Sequence, residues 1–459
     1  MTQTPRFADP AAASRPLHVV EADGWAAHLP AEHQAWLTAS GFEAALGEVR
    51  LLPGPGGVAG AVLGLGSAKT RARCRFGAVK GLGTLPGGAW SLATPLDAGL
   101  RDELALGWLL SLYRFDRYRP GKAQVEPALL VAPEGADAPR HLAMAEAEFL
   151  TRDLINTPAA DLGPAELEAA FLAVADRFGA TTQVVRGDHL LTGFPMVHAV
   201  GRASPRAPRI LEMRWGSAGP KLVLVGKGVC FDTGGLNIKP SAGMNLMKKD
   251  MGGSATVLGL AQMIMALGLK LQLRVIVPAV ENVISGNALK PKDILTSRKG
   301  LTVEVNDTDA EGRLILADAL AWADEEPADL IISMATLTGA ARVAVGPDLA
   351  PFYADSDADA AALTAGGALG FDPVWRLPFH TPYEAVIEPG IADLDNAPGW
   401  GFAGSVTAAL FLHRFVENAR YMHFDIYGHS PADAPARPKG GAGQGARALL
   451  SALPALLGL

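Results

Sequence analysis

The sequence predicts an α/β protein in two parts: a small N-terminal α/β domain over residues 1–140, and a larger C-terminal α/β domain over residues 141–459 with a mostly parallel sheet covered by helices on both faces. Three observations carry this. Strand-length apolar runs alternate with helix-length ones through most of the C-terminal part, and such alternation builds parallel sheets sandwiched between helices. At 459 residues and 49% apolar composition the chain is long for one core and able to fill two. Two Gly-rich, charge-dense segments follow strand-like runs directly, where an open α/β sheet places its ligand crevice.

In the N-terminal part, strand-like residues 17–21 and 58–65 alternate with helix-like residues 100–113. Gly81-Leu-Gly-Thr-Leu-Pro-Gly-Gly88 lacks the lysine spacing of a phosphate-binding loop and reads as a plain loop. Residues 128–140, punctuated by prolines, read as the end of the domain and a connection. Residues 141–154 then show helical spacing of Leu, Ala and Phe. Beyond them, strand-like residues 209–215, 221–225, 273–280, 329–334 and 421–427 alternate with helix-like residues 254–267 and 313–324, and residues 301–305 are a further strand-like run. Residues 314–322 read as a helix packing its apolar face into the core and are assigned no chemistry. Residues 354–370, rich in Ala, Asp and Gly, are expected to be a mobile surface stretch.

The two charged segments are Val225-Gly-Lys-Gly-Val-Cys-Phe-Asp-Thr-Gly-Gly-Leu-Asn-Ile-Lys239 and Asp307-Thr-Asp-Ala-Glu-Gly-Arg313, after residues 221–225 and 301–305. The oxygen donors Asp232, Asp250, Asp309 and Glu311 are enough to neutralise two divalent cations, since a carboxylate can bridge ions roughly 3.5–4 Å apart while others cap each ion singly. Lys227 and Lys239 read two ways: as counter-charges, or as a ligand and an electrophile beside a dication that favours the neutral amine. Arg313 offers a planar fork suited to a small oxyanion such as a carboxylate or bicarbonate. An isolated Asp or Lys in a Gly-rich loop is usually a solvated turn residue, and Lys248 and Lys249 are read that way.

At this point the residues resemble a family, the leucyl aminopeptidases or cytosol aminopeptidases, whose hallmark is Asn-Thr-Asp-Ala-Glu-Gly-Arg-Leu. Asp307-Thr-Asp-Ala-Glu-Gly-Arg-Leu314 departs from it only at Asp307. The likeness continues in the family's order through Asn156-Thr-Pro158, Val225 to Lys239, Met247-Lys-Lys-Asp-Met-Gly-Gly253, Ala335-Thr-Leu-Thr-Gly-Ala340, Gly404-Ser-Val-Thr-Ala-Ala-Leu-Phe411 and Arg437-Pro-Lys-Gly-Gly441. The resemblance implies a two-metal aminopeptidase of peptides, with Lys227, Asp232, Asp250, Asp309 and Glu311 as metal ligands and Asp232 and Glu311 bridging two Mn2+ or Zn2+ ions. It puts Lys239 and Arg313 on the catalytic positions, the lysine polarising the scissile carbonyl and stabilising the gem-diolate, the arginine holding a bicarbonate general base. It also implies a first-residue pocket that includes Met247, Thr336, Leu337, Gly339, Tyr427 and Ser430, and a hexamer with dihedral symmetry. Tyr427 stands where a small Ala is usual, so it either fills the pocket or turns into the core. Asp307 adds a possible negative charge beside two ligands.

Other functions find less support. No His-Glu-x-x-His pair occurs among the ten histidines, and His423 and His429 read as structural or peripheral. No Gly-x-Ser-x-Gly elbow supports an acyl-enzyme. The net charge of −7 argues against DNA or anionic membrane, which weakens a DNA-binding regulatory role, and the full donor set weakens a non-catalytic scaffold. A two-metal phosphoesterase shares the carboxylates but does not account for a lysine ligand. Cys74 and Cys230 form no disulfide framework; Cys230 reads as a small buried thiol. The first residues show no basic region followed by an apolar core, and no apolar stretch approaches about 18 residues, so a cytoplasmic protein is expected.

Overall fold

The computed structural model describes residues 4–119 and 126–459. The chain divides into two compact units, Met1–Phe149 with Ala432–Lys439, and Leu150–Pro431 with Gly440–Leu459. The single cut read from sequence lies at 140/141; the helix Ala138–Asn156 runs continuously through that point, so no break in the backbone marks it.

The first unit is built on a five-stranded sheet in the order Val49–Gly54, Gly57–Gly64, Arg15–Val20, Gly88–Leu92, Ala128–Leu130. The first pair is an antiparallel hairpin closed by Pro55 and Gly56, and Gly56 takes the φ of +87° that glycine adopts without penalty. The remaining pairs are parallel. Helix Ala98–Ser111, capped by the Asp97 side chain on Leu100 N at 2.9 Å, buries Leu104 to Leu110. Two connections read from sequence are instead ordered elements. Residues 128–130 form the edge strand, because Leu130 is buried while its backbone pairs with Trp90. A 3-10 helix, Gly77–Thr84, covers the start of the glycine-rich stretch, with Val79 and Leu82 anchored in the core.

The second unit is organised by a nine-stranded sheet. Its path runs Val374–Arg376, Ala350–Ala354, Arg420–Asp425, Leu330–Ala335, Lys221–Gly226, Gln272–Asn282, Arg209–Trp215, Thr181–Arg186, with Gly228–Asp232 added alongside Gln272–Asn282. The centre is parallel, and antiparallel pairs occur toward the edges. The central strands are continuous apolar runs because both faces are covered. Val223 and Val225 join Leu314, Ile315 and Leu320 of helix Glu311–Asp324 in one core cluster. Gly226, of opposite parity to those valines, lies against Ser254 and Val257 of helix Gly252–Ala266.

Two expectations change here. The strand-like run 301–305 is not a strand of the main sheet: Thr302–Glu304 pairs with Ile294–Thr296 and Leu394–Asp395 in a separate three-stranded sheet. A three-residue strand is too short for its pattern to specify its partner. Residues 354–370 are not a loose stretch either, since Asp357–Leu369 is an α-helix whose cap, Ser356, accepts from Asp359 N at 3.0 Å. It is seated on the C-terminal helix Ala446–Leu457 so closely that a Cβ on Gly366 would stand 2.5 Å from Ala448 O. Ala and Gly are the contact residues there because only small side chains allow that approach.

Candidate metal centre

The first donor segment is shaped by the sheet. Strand Lys221–Gly226 delivers Lys227, and Gly228–Asp232 ends on Asp232, both buried. The chain then turns through Gly234 and Gly235, at φ of +88° and +64°, and folds back so that Lys239 N donates to Thr233 O at 2.9 Å. A Cβ on Gly234 would lie 2.9 Å from Asp309 Oδ1, so glycine there leaves room for the second segment. That segment ends in helix Glu311–Asp324, whose amino terminus favours the Glu311 carboxylate. Gly312 is equally constrained, because a Cβ would stand 2.5 Å from Lys227 Cε. The lysine passes over the bare helix turn to reach its partners.

The acidic side chains converge. One oxygen each from Asp232, Asp309 and Glu311 lies within 4.8 Å of the others. Lys227 Nζ is 2.6 Å from Asp250 Oδ2 and 3.0 Å from Glu311 Oε1, and donates to Thr336 O at 3.1 Å. Lys239 Nζ is 2.8 Å from Asp232 Oδ2 and also pairs with Asp309. Neutral groups fix the acids: Asn282 Nδ2 and Gly234 N each donate to Asp232 Oδ1 at 2.9 Å, and Thr336 Oγ1 donates to Asp250 Oδ1 at 2.8 Å. Thr308, fully buried, joins the two segments by donating to Gly234 O at 2.6 Å and accepting from Asn237 N at 2.8 Å. Asp307 Oδ1 accepts from Asp309 N at 2.9 Å, a role that needs an oxygen acceptor but no charge, so Asn would serve it equally.

The buried carboxylates shift one another's protonation. Burial first, and then Asp232, hold the Glu311 carboxyl well above its usual range. Burial and Asp232 push Asp309 up to about 6. Asp250 is held below its usual value despite burial, because Lys227 and Lys249 face it. Burial opposes the ammonium of Lys227, yet Asp250, Glu311 and Asp232 outweigh it and raise its pKa; Lys239 is raised likewise by Asp232 and Asp309. Glu311 Oε2, fully buried, has neither a hydrogen bond nor an ion pair among the described residues. Converging carboxylates, an orphaned buried oxygen and lysines standing in as positive charge suit hard divalent cations.

Arg313, 8% exposed, has no ion pair among the described residues, and its buried Nε has no hydrogen-bond partner there. The neighbouring acid Asp425 is already engaged by Leu337 N, Thr338 N, Thr338 Oγ1 and Ser405 Oγ. The guanidinium is therefore available to an anion.

Of the expected pocket residues, Thr336 is buried against Asp250, and its Cγ2 would lie 3.0 Å from a Cβ on Gly252 or Gly428. Leu337 is tied to Asp425 through its backbone. Met247 opens the short 3-10 turn Met247–Lys249 and is half-buried. Gly339 starts helix Gly339–Val345, with open space where a side chain would point; its nearest neighbour would be Arg342 Nη2 at 4.0 Å. Tyr427, half-buried, has Lys249 Nζ 5.1 Å and the Arg342 guanidinium 4.8 Å from its ring centroid. Its ring is among cations, not in the apolar core. Ser430 is half-buried in the strand His429–Ser430.

Lys248 and Lys249 are not solvated turn residues. Lys248 Nζ donates to Asn156 O at 2.5 Å, and Lys249 is only 6% exposed, with burial lowering its ammonium to about 8. Asp250 beside it was the sequence clue, because a turn that carries a buried acid cannot be wholly solvated. Nothing in the sequence singled out Arg342, Asn282 or Asp425. His423 is structural: fully buried, with Nδ1 2.8 Å from Ser333 Oγ, and pushed down to about 3 by burial and by Arg313. Cys230 is buried, and burial pushes its thiol far above the usual range, so it is inert.

Residues 149–450 match the cytosol aminopeptidase family, catalytic domain, and residues 14–133 match the M17 aminopeptidase N-terminal domain. The chain is 38% identical over 427 residues to a probable cytosol aminopeptidase of Methylorubrum populi, covering 87% of this chain and 85% of that protein. It is 40% identical over 344 residues to one of Rhizobium rhizogenes, covering 71% and 69%. Among solved structures it is similar to the cytosol aminopeptidase of Coxiella burnetii, with a TM-score of 0.91 and 40% identity over 97% of this chain and 98% of that one. It is also similar to the bottromycin maturation enzyme BotP in complex with Mn, with a TM-score of 0.87 and 31% identity over 97% and 100%.

Proposed function

This chain belongs to the cytosol aminopeptidase family and is a metal-dependent aminopeptidase, a hydrolase acting on peptides, and we propose that its reaction runs at the carboxylate cluster on two divalent ions. One observation carries the reading: Asp232, Asp309 and Glu311 converge within 4.8 Å between the ammoniums of Lys227 and Lys239. In this reading Asp232, Asp250, Asp309, Glu311 and Lys227 would hold the ions, with Asp232 and Glu311 serving both. Bound there, Mn2+ or Zn2+ supplies Lewis acidity and a water acidic enough to be deprotonated near neutral pH.

The chain's own residues do the rest. Lys239 donates to the oxygen that gains negative charge as water adds to the scissile carbonyl. Arg313 offers its unpaired fork to bicarbonate, which brings a general base to the attacking water. Met247, Thr336, Leu337, Gly339 and Tyr427 surround the side chain of the first residue. No observation favours a scaffold, DNA-binding or phosphoesterase role.

Aminoacyl p-nitroanilides test this directly. Chelation is expected to abolish hydrolysis, and two equivalents of Mn2+ or Zn2+ per chain to restore it. Full-rate turnover by protein stripped of metal would overturn the reading.

The family resemblance further supports a cytoplasmic hexamer. Among the described residues no helix is long and apolar enough to cross a membrane. Trp400 and Phe402 are exposed with their rings 5.6 Å apart, apolar surface of the kind assemblies cover. Light scattering is expected to give about six times the 47.8 kDa chain mass at micromolar concentration; a monomer would refute it.

A further inference from the structure

Beside the carboxylate cluster lies a second, oppositely charged group of residues. Lys249 directly precedes Asp250 and is buried, with neither a side-chain hydrogen bond nor an ion pair among the described residues. Arg342, exposed on helix Gly339–Val345, likewise has no carboxylate partner among them. Both cations reach the same ring, that of Tyr427, at 5.1 and 4.8 Å. Burying an ammonium without a hydrogen-bonded or ion-paired partner is costly. A cation–π contact returns only a small part of that cost, and Arg342 adds repulsion at Lys249. Asp250 offsets Lys249 only in part, being itself paired with Lys227 at 2.6 Å, so two cations without an ion-pair contact among the described residues, around one half-buried ring, make a site for an anion.

Its position says where that anion comes from. Gly428, next to Tyr427, faces Thr336 Cγ2 and lies near Lys249 O, and Thr336 is hydrogen-bonded to Asp250 of the cluster. In an aminopeptidase the scissile carbonyl belongs to the substrate's first residue. With that carbonyl at the cluster, the first side chain lies within reach of groups adjoining Asp250. Gly339 leaves the approach to Arg342 open.

We propose that this enzyme selects peptides whose first residue carries a carboxylate side chain, Glu or Asp, with Lys249 and Arg342 as the recognising pair and Tyr427 as the surface between them. The proposal rests on the metal-centre reading above. The aromatic ring fills space that a large apolar side chain would need, and the two cations offer charge-assisted hydrogen bonds to a carboxylate. A neutral amide of the same shape forgoes the charge.

The test is kcat/KM of the metal-loaded, full-length enzyme on Glu-, Gln-, Ala- and Leu-p-nitroanilide, with Lys249→Met and Arg342→Met alongside. The unaltered enzyme is expected to prefer Glu over Gln by roughly tenfold or more, and over Leu by at least as much. Each variant is expected to lower the Glu-to-Gln ratio about tenfold. The wild-type Glu and Gln rates decide the matter even where a variant folds poorly. Brisk turnover of Leu or Ala with Glu no faster than Gln would overturn the pocket proposal alone, leaving Tyr427 as a steric filler held by its two cations. No turnover of any of the four would overturn the metal-centre reading and the pocket with it.

Discussion

Glu311→Ala is expected to abolish measurable turnover and to lower the metal content from two ions per chain to one or fewer. Glu311 is 1% exposed, one oxygen lies 3.0 Å from Lys227 Nζ, and the other has no partner among the described residues. A buried carboxylate so poorly satisfied is held above its usual pKa by burial and by Asp232, as is expected of a group that shares a metal site with other carboxylates. A bridging carboxylate serves both ions, so its removal weakens both sites and leaves Asp232 and Asp309 to repel each other. Glu311→Gln keeps the shape and one acceptor oxygen but removes the charge, and is expected to fall between wild type and Ala in metal content. Elemental analysis of the purified variants checks this. Two metals per chain in Glu311→Ala would overturn the bridging assignment.

The converging carboxylates Asp232, Asp309 and Glu311 were legible because the chain places them in two Gly-rich segments that interrupt apolar sequence, where Gly234, Gly235 and Gly312 are glycines that the geometry needs; Asp250 lies outside both and was picked out as a further oxygen donor. The central strands were legible for a similar reason, as apolar runs covered on both faces. What the sequence hid is non-local. Asn282 and Thr336 orient Asp232 and Asp250 from elsewhere in the chain, and Arg342 meets Lys249 only through Tyr427. The helix Asp357–Leu369 was hidden because its contact face is Ala and Gly, which carry little hydrophobic contrast yet pack closely on Ala446–Leu457. The run 301–305 was recognised as strand-like but assigned to the wrong sheet, since pairing partners are a tertiary choice.

Lys239→Ala and Arg313→Ala are expected to keep both metals and lose rate, each by roughly 10²–10³ in kcat, the usual cost of removing one donor aimed at developing charge. Lys239 Nζ lies 2.8 Å from Asp232 Oδ2 and also pairs with Asp309, so it competes with a cation for those oxygens. In the proposed reading it is not a ligand, so its removal should leave metal affinity equal or tighter. Arg313 makes no ion pair among the described residues, and Asp425 beside it is satisfied by four other donors. Its loss is therefore expected to remove an anion site and not a structural tie. Arg313→Lys separates charge from geometry: a point charge without the planar fork should recover only part of the rate. Parallel metal analysis and single-turnover rates check all three. If Lys239→Ala or Arg313→Ala chiefly loses metal while the residual holoenzyme turns over at the wild-type rate, that residue is a ligand or a structural counter-charge, and the carbonyl-polarising or anion-holding role belongs to another group.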